Sequence, residues 1–107
     1  MTPEKSIQND ILKFLKQVPD LYVERRQAGG LSYHSGIPDV WFVYRGLHVE
    51  VEVKAPSGTA GSLQLKHEEK LRKAGSLYWR GKSSSDFKKW FYEIFGNSHE
   101  LRTNCKL

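Results

Sequence analysis

The sequence predicts an α/β domain, a mixed β-sheet with helices packed on it, in the order α-β-β-β-α-β-α. Three features predict this. Apolar residues recur at helical spacing near both ends of the 107-residue chain. Between them lie two β-rich runs joined by a short glycine-containing turn, Arg45-Gly46. A further helical stretch then separates that hairpin from one more short strand, at 77–80.

The first helix opens at Thr2-Pro3-Glu4. Thr2 can cap the free first-turn N–H groups, Pro3 needs no donor there, and Glu4 faces the positive end of the helix dipole. Ile7, Ile11, Leu12, Phe14 and Leu15 follow at helical spacing, and Pro19 ends the helix near Gln17. Residues 21–26 alternate enough for a short strand. Residues 27–36 carry three glycines, two serines and His34, and read as a flexible loop. In the hairpin, Val40, Phe42 and Tyr44 alternate against Trp41 and Val43; after the turn, Val49, Val51 and Val53 alternate against Glu50, Glu52 and Lys54. Both faces of this hairpin are expected to be partly covered. Residues 55–61 form a second loop. Ser62 can cap a helix to about Lys73, with Leu63, His67, Leu71 and Ala74 on one side and Gly75 closing it. After the strand at 77–80, three serines lead into a last helix with Phe87, Trp90, Phe91, Ile94 and Phe95 at the spacing of a buried face. A single domain over 1–96 is expected, followed by a polar C-terminal tail, 97–107, that frays.

The formal net charge is +5 and the pI is near 9.4, a balance that favours an anionic partner, nucleic acid first. Arg25, Arg26, Lys66, Lys70, Arg72, Lys73, Arg80 and Lys82 are candidates for backbone phosphate contacts, with Arg25 and Arg26 foremost because they precede the loop; for at least half of those between 66 and 73 a solvated helix face shared with Glu68 and Glu69 is the plainer reading. His34 and Ser35 in the loop are weaker candidates. No recognition helix, zinc finger or basic zipper is evident, so no sequence-specific reading is expected. No apolar run approaches the roughly 20 residues of a membrane span, which predicts no membrane partner. The N-terminus lacks a signal-peptide core, and a cytoplasmic protein is expected. Cys105, the single cysteine, cannot form an internal disulfide or a zinc-finger set.

The chemistry concentrates on the run 49–54. Side chains on a strand alternate between faces, so the valines share one face and Glu50, Glu52 and Lys54 the other. With Arg45-Gly46 as a two-residue turn, Tyr44 faces Leu47, Phe42 faces Val49 and Val40 faces Val51. Asp39 then lies across from Glu52, and opposed residues hold their Cβ atoms about 4.5–5.5 Å apart. Two acids that close repel unless a cation sits between them or one is protonated. Hard oxygen ligands without clustered His or Cys point to Mg²⁺ or Mn²⁺. A lysine two residues on can orient or deprotonate a water, or neutralise developing phosphate charge. The plain alternative for the strand is a solvated face laced by weak ion pairs; Asp39, placed by Pro38 at a strand start, is harder to explain that way.

Pro38-Asp39 followed by Glu52-Val53-Lys54 resembles the PD-(D/E)XK nuclease signature. Glu4-Lys5-Ser6-Ile7-Gln8, Gly36-Ile37-Pro38-Asp39, Glu52-Val53-Lys54-Ala55 and Gln64 resemble, in order, the motifs of its VRR-NUC branch over roughly residues 4–80. The resemblance implies a restriction-endonuclease-like core. It implies a metal-dependent DNA endonuclease in which Asp39, Glu52 and the Val53 carbonyl hold the ion, Glu4 joins them directly or through water, Lys54 is the catalytic lysine and Gln64 supports the site. Stand-alone members of this size resemble Holliday-junction resolvases, act as homodimers on branched DNA and are often phage-encoded, which would place the protein in a host cytoplasm. Glu50 departs from the pattern as an extra acid on the active face. A non-specific nickase, a non-catalytic DNA-binding module of the same fold and a protein-interaction domain remain as competing readings.

Overall fold

The computed structural model describes residues 2–26 and 36–96. The expectations for the 27–35 part of the loop, including His34 and Ser35, and for the tail and Cys105 lie outside the described residues. The elements are α1 (Pro3–Lys16), β1 (Tyr22–Arg25), β2 (Val40–Tyr44), β3 (Leu47–Val53), α2 (Ser62–Lys73), β4 (Leu77–Gly81) and α3 (Ser84–Phe95). This is the order the sequence predicts. The sheet runs β1-β2-β3-β4; its first two pairings are antiparallel and β3 pairs with β4 in parallel. The sheet is therefore mixed, because the crossover through α2 returns the chain in the direction of β3.

Caps and turns follow local chemistry. Thr2 Oγ1 accepts from Lys5 N at 3.1 Å and Ser83 Oγ from Asp86 N at 3.1 Å, closing the starts of α1 and α3. Arg45 and Gly46 both take positive φ, 52° and 78°, as a primed two-residue hairpin turn requires. The turn sets the register: Tyr44 faces Leu47, Phe42 faces Val49 and Val40 faces Val51.

One sheet face holds the core. Val40, Phe42, Val49, Val51 and Trp79 meet Ile11 and Leu15 of α1 and Phe87, Phe91 and Phe95 of α3 there. Each fully buried ring or branched side chain contributes roughly 1.5–3 kcal/mol. Phe91 is central, with ring centroids 5.3 Å from Phe14 and 4.8 Å from Phe95. Ile94, expected on this buried face, is instead 46% exposed, at the edge of the stripe.

The opposite face is polar, and α2 lies on it. None of α2's residues is buried, and Leu63 is 51% exposed. The Leu63, His67, Leu71, Ala74 side is therefore not a core stripe. The helix is held by polar contacts instead. The Arg72 guanidinium sits 5.6 Å over the Tyr78 ring and donates to the Tyr78 carbonyl at 3.0 Å, and Glu68 pairs with both Arg72 and Arg80. Gly61, rather than Ser62, is its N-cap, and Gln64 Oε1 accepts from Gly61 N at 2.9 Å. Gly36 is required where α2 meets the start of β2. Its φ is +89°, and a Cβ there would lie 2.9 Å from Leu63 Cβ.

Candidate active site

The site lies where β2 begins and β3 ends, and the first turns of α1 and α2 both reach it. Alternation along β3 directs Glu50 and Glu52 away from the valine core, yet both are buried, at 1% and 5% exposure. Carrying the Val40–Val51 pairing one step further sets Asp39 against Glu52. Pro38, fully buried, anchors that entry to β2.

Long-range contacts assemble the rest. From α1, Glu4 Oε1 accepts from Ala55 N at 3.2 Å, across 51 residues of sequence. One turn on, Gln8 is 5% exposed and its Nε2 donates to Asp39 Oδ2 at 3.2 Å. From α2, Gln64 Oε1 accepts from Lys54 Nζ at 2.9 Å. Gln64 thus closes the first turn of α2 and holds the lysine with one oxygen. The structure brings Glu4, Asp39, Glu52, Val53, Lys54 and Gln64 to one end of the sheet. Gln8 was not singled out as a site residue in the sequence, although its position four residues after Glu4 puts both on one helix face.

The two acids of β3 differ sharply. Both oxygens of Glu50 are engaged: Arg26 Nη1 and Nη2 donate to Oε1 and Oε2 at 2.6 and 2.9 Å, and His48 Nε2 lies 2.5 Å from Oε2. Arg26 also binds the Pro38 carbonyl through Nη1 at 2.7 Å, and its backbone N–H donates to the Asp39 carbonyl at 2.6 Å. The extra acid on the active face is thus tied into a fork that clamps the entry to Asp39. Glu52 Oε1, by contrast, is buried without a hydrogen-bond partner among the described residues. Burial pushes the Glu52 carboxyl up to about 7, and the Asp39 and Glu4 charges add to the shift while Lys54 and Arg80 oppose it.

Among the described residues no three His, Cys, Asp or Glu side chains converge as a ready cage. Mg²⁺ and Mn²⁺ do not need one: Mg²⁺ keeps several waters and takes one or two carboxylates. Two facing carboxylates, one with a buried oxygen unmet among the described residues, fit such an ion, and none of the described residues brings a zinc-type set of nitrogen and sulfur ligands to the site.

The raised Glu52 gives a first prediction. Its folded value lies above the ordinary 4.5, so the folded chain binds more protons between pH 4.5 and about 7, and stability falls as pH rises through that window. Glu52→Gln removes the penalty. In EDTA the variant should be more stable than wild type at pH 8, by on the order of 1–3 kcal/mol, and nearly equal at pH 4.5. Urea unfolding at both pH values checks this; a variant less stable than wild type at pH 8 refutes the assigned environment.

The candidate phosphate contacts are placed differently from one another. Arg25 Nη2 donates to Asn9 Oδ1 at 2.7 Å, and Arg26 is committed to Glu50 and Pro38. Arg80 pairs with Glu68, and Lys66 is exposed on α2. Among the described residues no helix is long and apolar enough to cross a membrane.

No protein-family model matches the chain, and no curated protein matches it in sequence. Solved structures do match in fold. A chain described as a VRR_NUC domain superposes with a TM-score of 0.73 at 23% identity, covering 89% of this chain and 100% of that one. A VRR_NUC domain protein superposes with a TM-score of 0.67 at 18% identity, covering 92% and 97% respectively. The chain has the fold of VRR_NUC domains, and the α/β expectation is met over most of its length.

Proposed function

We propose that this chain is a VRR-NUC nuclease of the PD-(D/E)XK superfamily, a metal-dependent DNA endonuclease that favours branched DNA such as four-way junctions. The observation that carries the reading is the meeting of Glu4, Asp39, Glu52, Lys54 and Gln64 around a buried carboxylate oxygen without a partner among the described residues, on the fold of VRR_NUC domains. In this reading Asp39, Glu52 and the Val53 carbonyl hold Mg²⁺ or Mn²⁺, and Glu4 joins directly or through water. Held there, such an ion would lower the pKa of a neighbouring water and screen phosphate charge. Lys54 does the work of a fixed positive charge: the Gln64 carbonyl oxygen accepts from its ammonium and holds it toward the phosphate whose charge grows in the transition state. Gln8 holds the Asp39 carboxylate, and Arg26, braced on Glu50, holds the Pro38 and Asp39 carbonyls.

DNA is the partner that the +5 charge favours. A homodimer, phage-encoded and working in a host cytoplasm, completes the proposal, since two sites about a two-fold axis suit a symmetric junction. The test is cleavage of a four-way junction, a linear duplex and a single strand with Mg²⁺, Mn²⁺ or EDTA. Cutting should need the metal, be fastest on the junction, and fall about 10²–10³-fold in Lys54→Ala. Equal rates on all substrates would turn the reading to a non-specific nickase. Binding without cutting would turn it to a DNA-binding module.

A further inference from the structure

Beside the site, a cleft of about 350 Å³ opens at the C-terminal ends of the two parallel strands β3 and β4. Its walls include Lys54, Gly58, Thr59, Arg80 and Lys82, with no carboxylate among the described residues that line it. Backbone pairing explains the cluster. Glu52 pairs with Arg80, and Lys54 N donates to the Gly81 carbonyl at 2.9 Å, so alternation sets Lys82 beside Lys54 on the polar face. Residues 55–61 close the cleft from one side, where Lys82 Nζ donates to the Pro56 carbonyl at 3.1 Å.

The charge balance there is uneven. Arg80 shares Glu68 with Arg72, so that carboxylate answers only one of two guanidinium groups. The hydrogen bonds described for Lys54 and Lys82 go to neutral oxygens, the Gln64 amide and the Pro56 carbonyl. Such acceptors orient an ammonium without cancelling its charge. Gly58 and Thr59, from the 55–61 loop, line the same cleft. The cleft is also the crevice beyond the carboxyl ends of parallel strands, where ligands of open α/β sheets bind.

We propose that this cleft seats a second phosphate of the cut nucleic-acid strand, next to the scissile one, with Lys82 and Arg80 as its ligands and Lys54 shared between the two. The proposal rests on the nuclease reading for which strand enters, and on the cleft alone for the anion it takes. It makes the enzyme dependent on a phosphate that is not broken, so a substrate ending at the scissile bond lacks a contact.

The test separates the cleft from catalysis by measuring binding in EDTA. A fluorescent four-way junction is titrated with wild type, Lys82→Ala and Lys82→Arg over 50–200 mM salt. Lys82 is exposed, so its replacement leaves the core intact. Lys82→Ala should bind several-fold more weakly, with a salt slope lower by about 1, and Lys82→Arg should restore both. Junctions carrying a single neutral methylphosphonate at each position flanking the cut are then compared. One position should weaken wild type several-fold and weaken Lys82→Ala clearly less, because Arg80 and Lys54 remain. Inorganic phosphate up to 10 mM should displace little of the DNA. Equal slopes for wild type and Lys82→Ala, or methylphosphonate losses that simply add to the Lys82→Ala loss at every position, overturn the proposal. So does displacement by micromolar phosphate, which would mark a small-anion site. Failure of wild type to cut DNA while these binding results hold would instead count against the nuclease reading.

Discussion

Asp39→Asn should lower metal-dependent DNA cleavage by at least about 10³-fold, a loss of about 4 kcal/mol in transition-state stabilisation. Asparagine keeps an acceptor for Gln8 Nε2, so the buried glutamine is not orphaned and the change isolates the charge. One of the two facing carboxylates is then neutral, and on the proposed reading an ion there would lose one of its acidic ligands. The same change relieves Glu52, which the Asp39 charge pushes upward. The metal-free variant should therefore be as stable as wild type or slightly more so at pH 8. Mg²⁺ should raise the unfolding temperature of wild type through binding linkage and leave Asp39→Asn unmoved. Cleavage at the wild-type rate, or equal Mg²⁺ stabilisation of both proteins, would remove Asp39 from the site.

The second large effect falls on stability. Arg26→Ala strips the two-donor fork from Glu50, whose side chain is 1% exposed. Breaking a buried pair by removing one partner costs about 3–5 kcal/mol, a large share of the roughly 5–15 kcal/mol that holds a small domain. His48, the remaining partner, is charged only when protonated. Arg26→Lys should recover little, because a single ammonium cannot reproduce the paired contacts with Glu50 and the Pro38 carbonyl. Arg26→Ala combined with Glu50→Gln should recover more, since no buried charge is then stranded. Urea unfolding of these proteins together with Glu50→Gln alone measures the coupling. A loss below about 1 kcal/mol in Arg26→Ala would show that Glu50 is solvated through another route.

Those two residues also mark how far the sequence could be read. Arg26 was a leading candidate for a phosphate contact because it precedes a glycine-rich loop. Its described hydrogen bonds all turn inward, and nothing local announces this: Glu50, 24 positions away, meets it only because β1 and β3 flank β2. Choosing between Glu50 and Glu52 was open to sequence only through the spacing to Lys54. The structure separates them by their surroundings, one carboxylate saturated with donors and the other short of a partner among the described residues. Likewise the apolar positions of α2 suggested a buried side, but the sheet face beneath that helix is built of acids, Tyr78 and Arg80.

The elements and the hairpin register were determined by the sequence alone. Caps, the positive-φ turn at Arg45-Gly46 and the period-2 valines act over a few residues, and a slip by one would turn every valine to the wrong face. That local order already set Asp39 against Glu52 and Lys54 beside them. Only the tertiary structure decided that Glu4 and Gln8 arrive from α1, that Gln64 holds Lys54, that Glu50 is consumed by Arg26, and that Lys82 lines a cleft next to the site. These contacts join residues distant in sequence, and their strength depends on burial and on which neighbours share a low-dielectric space, which no run of residues records by itself.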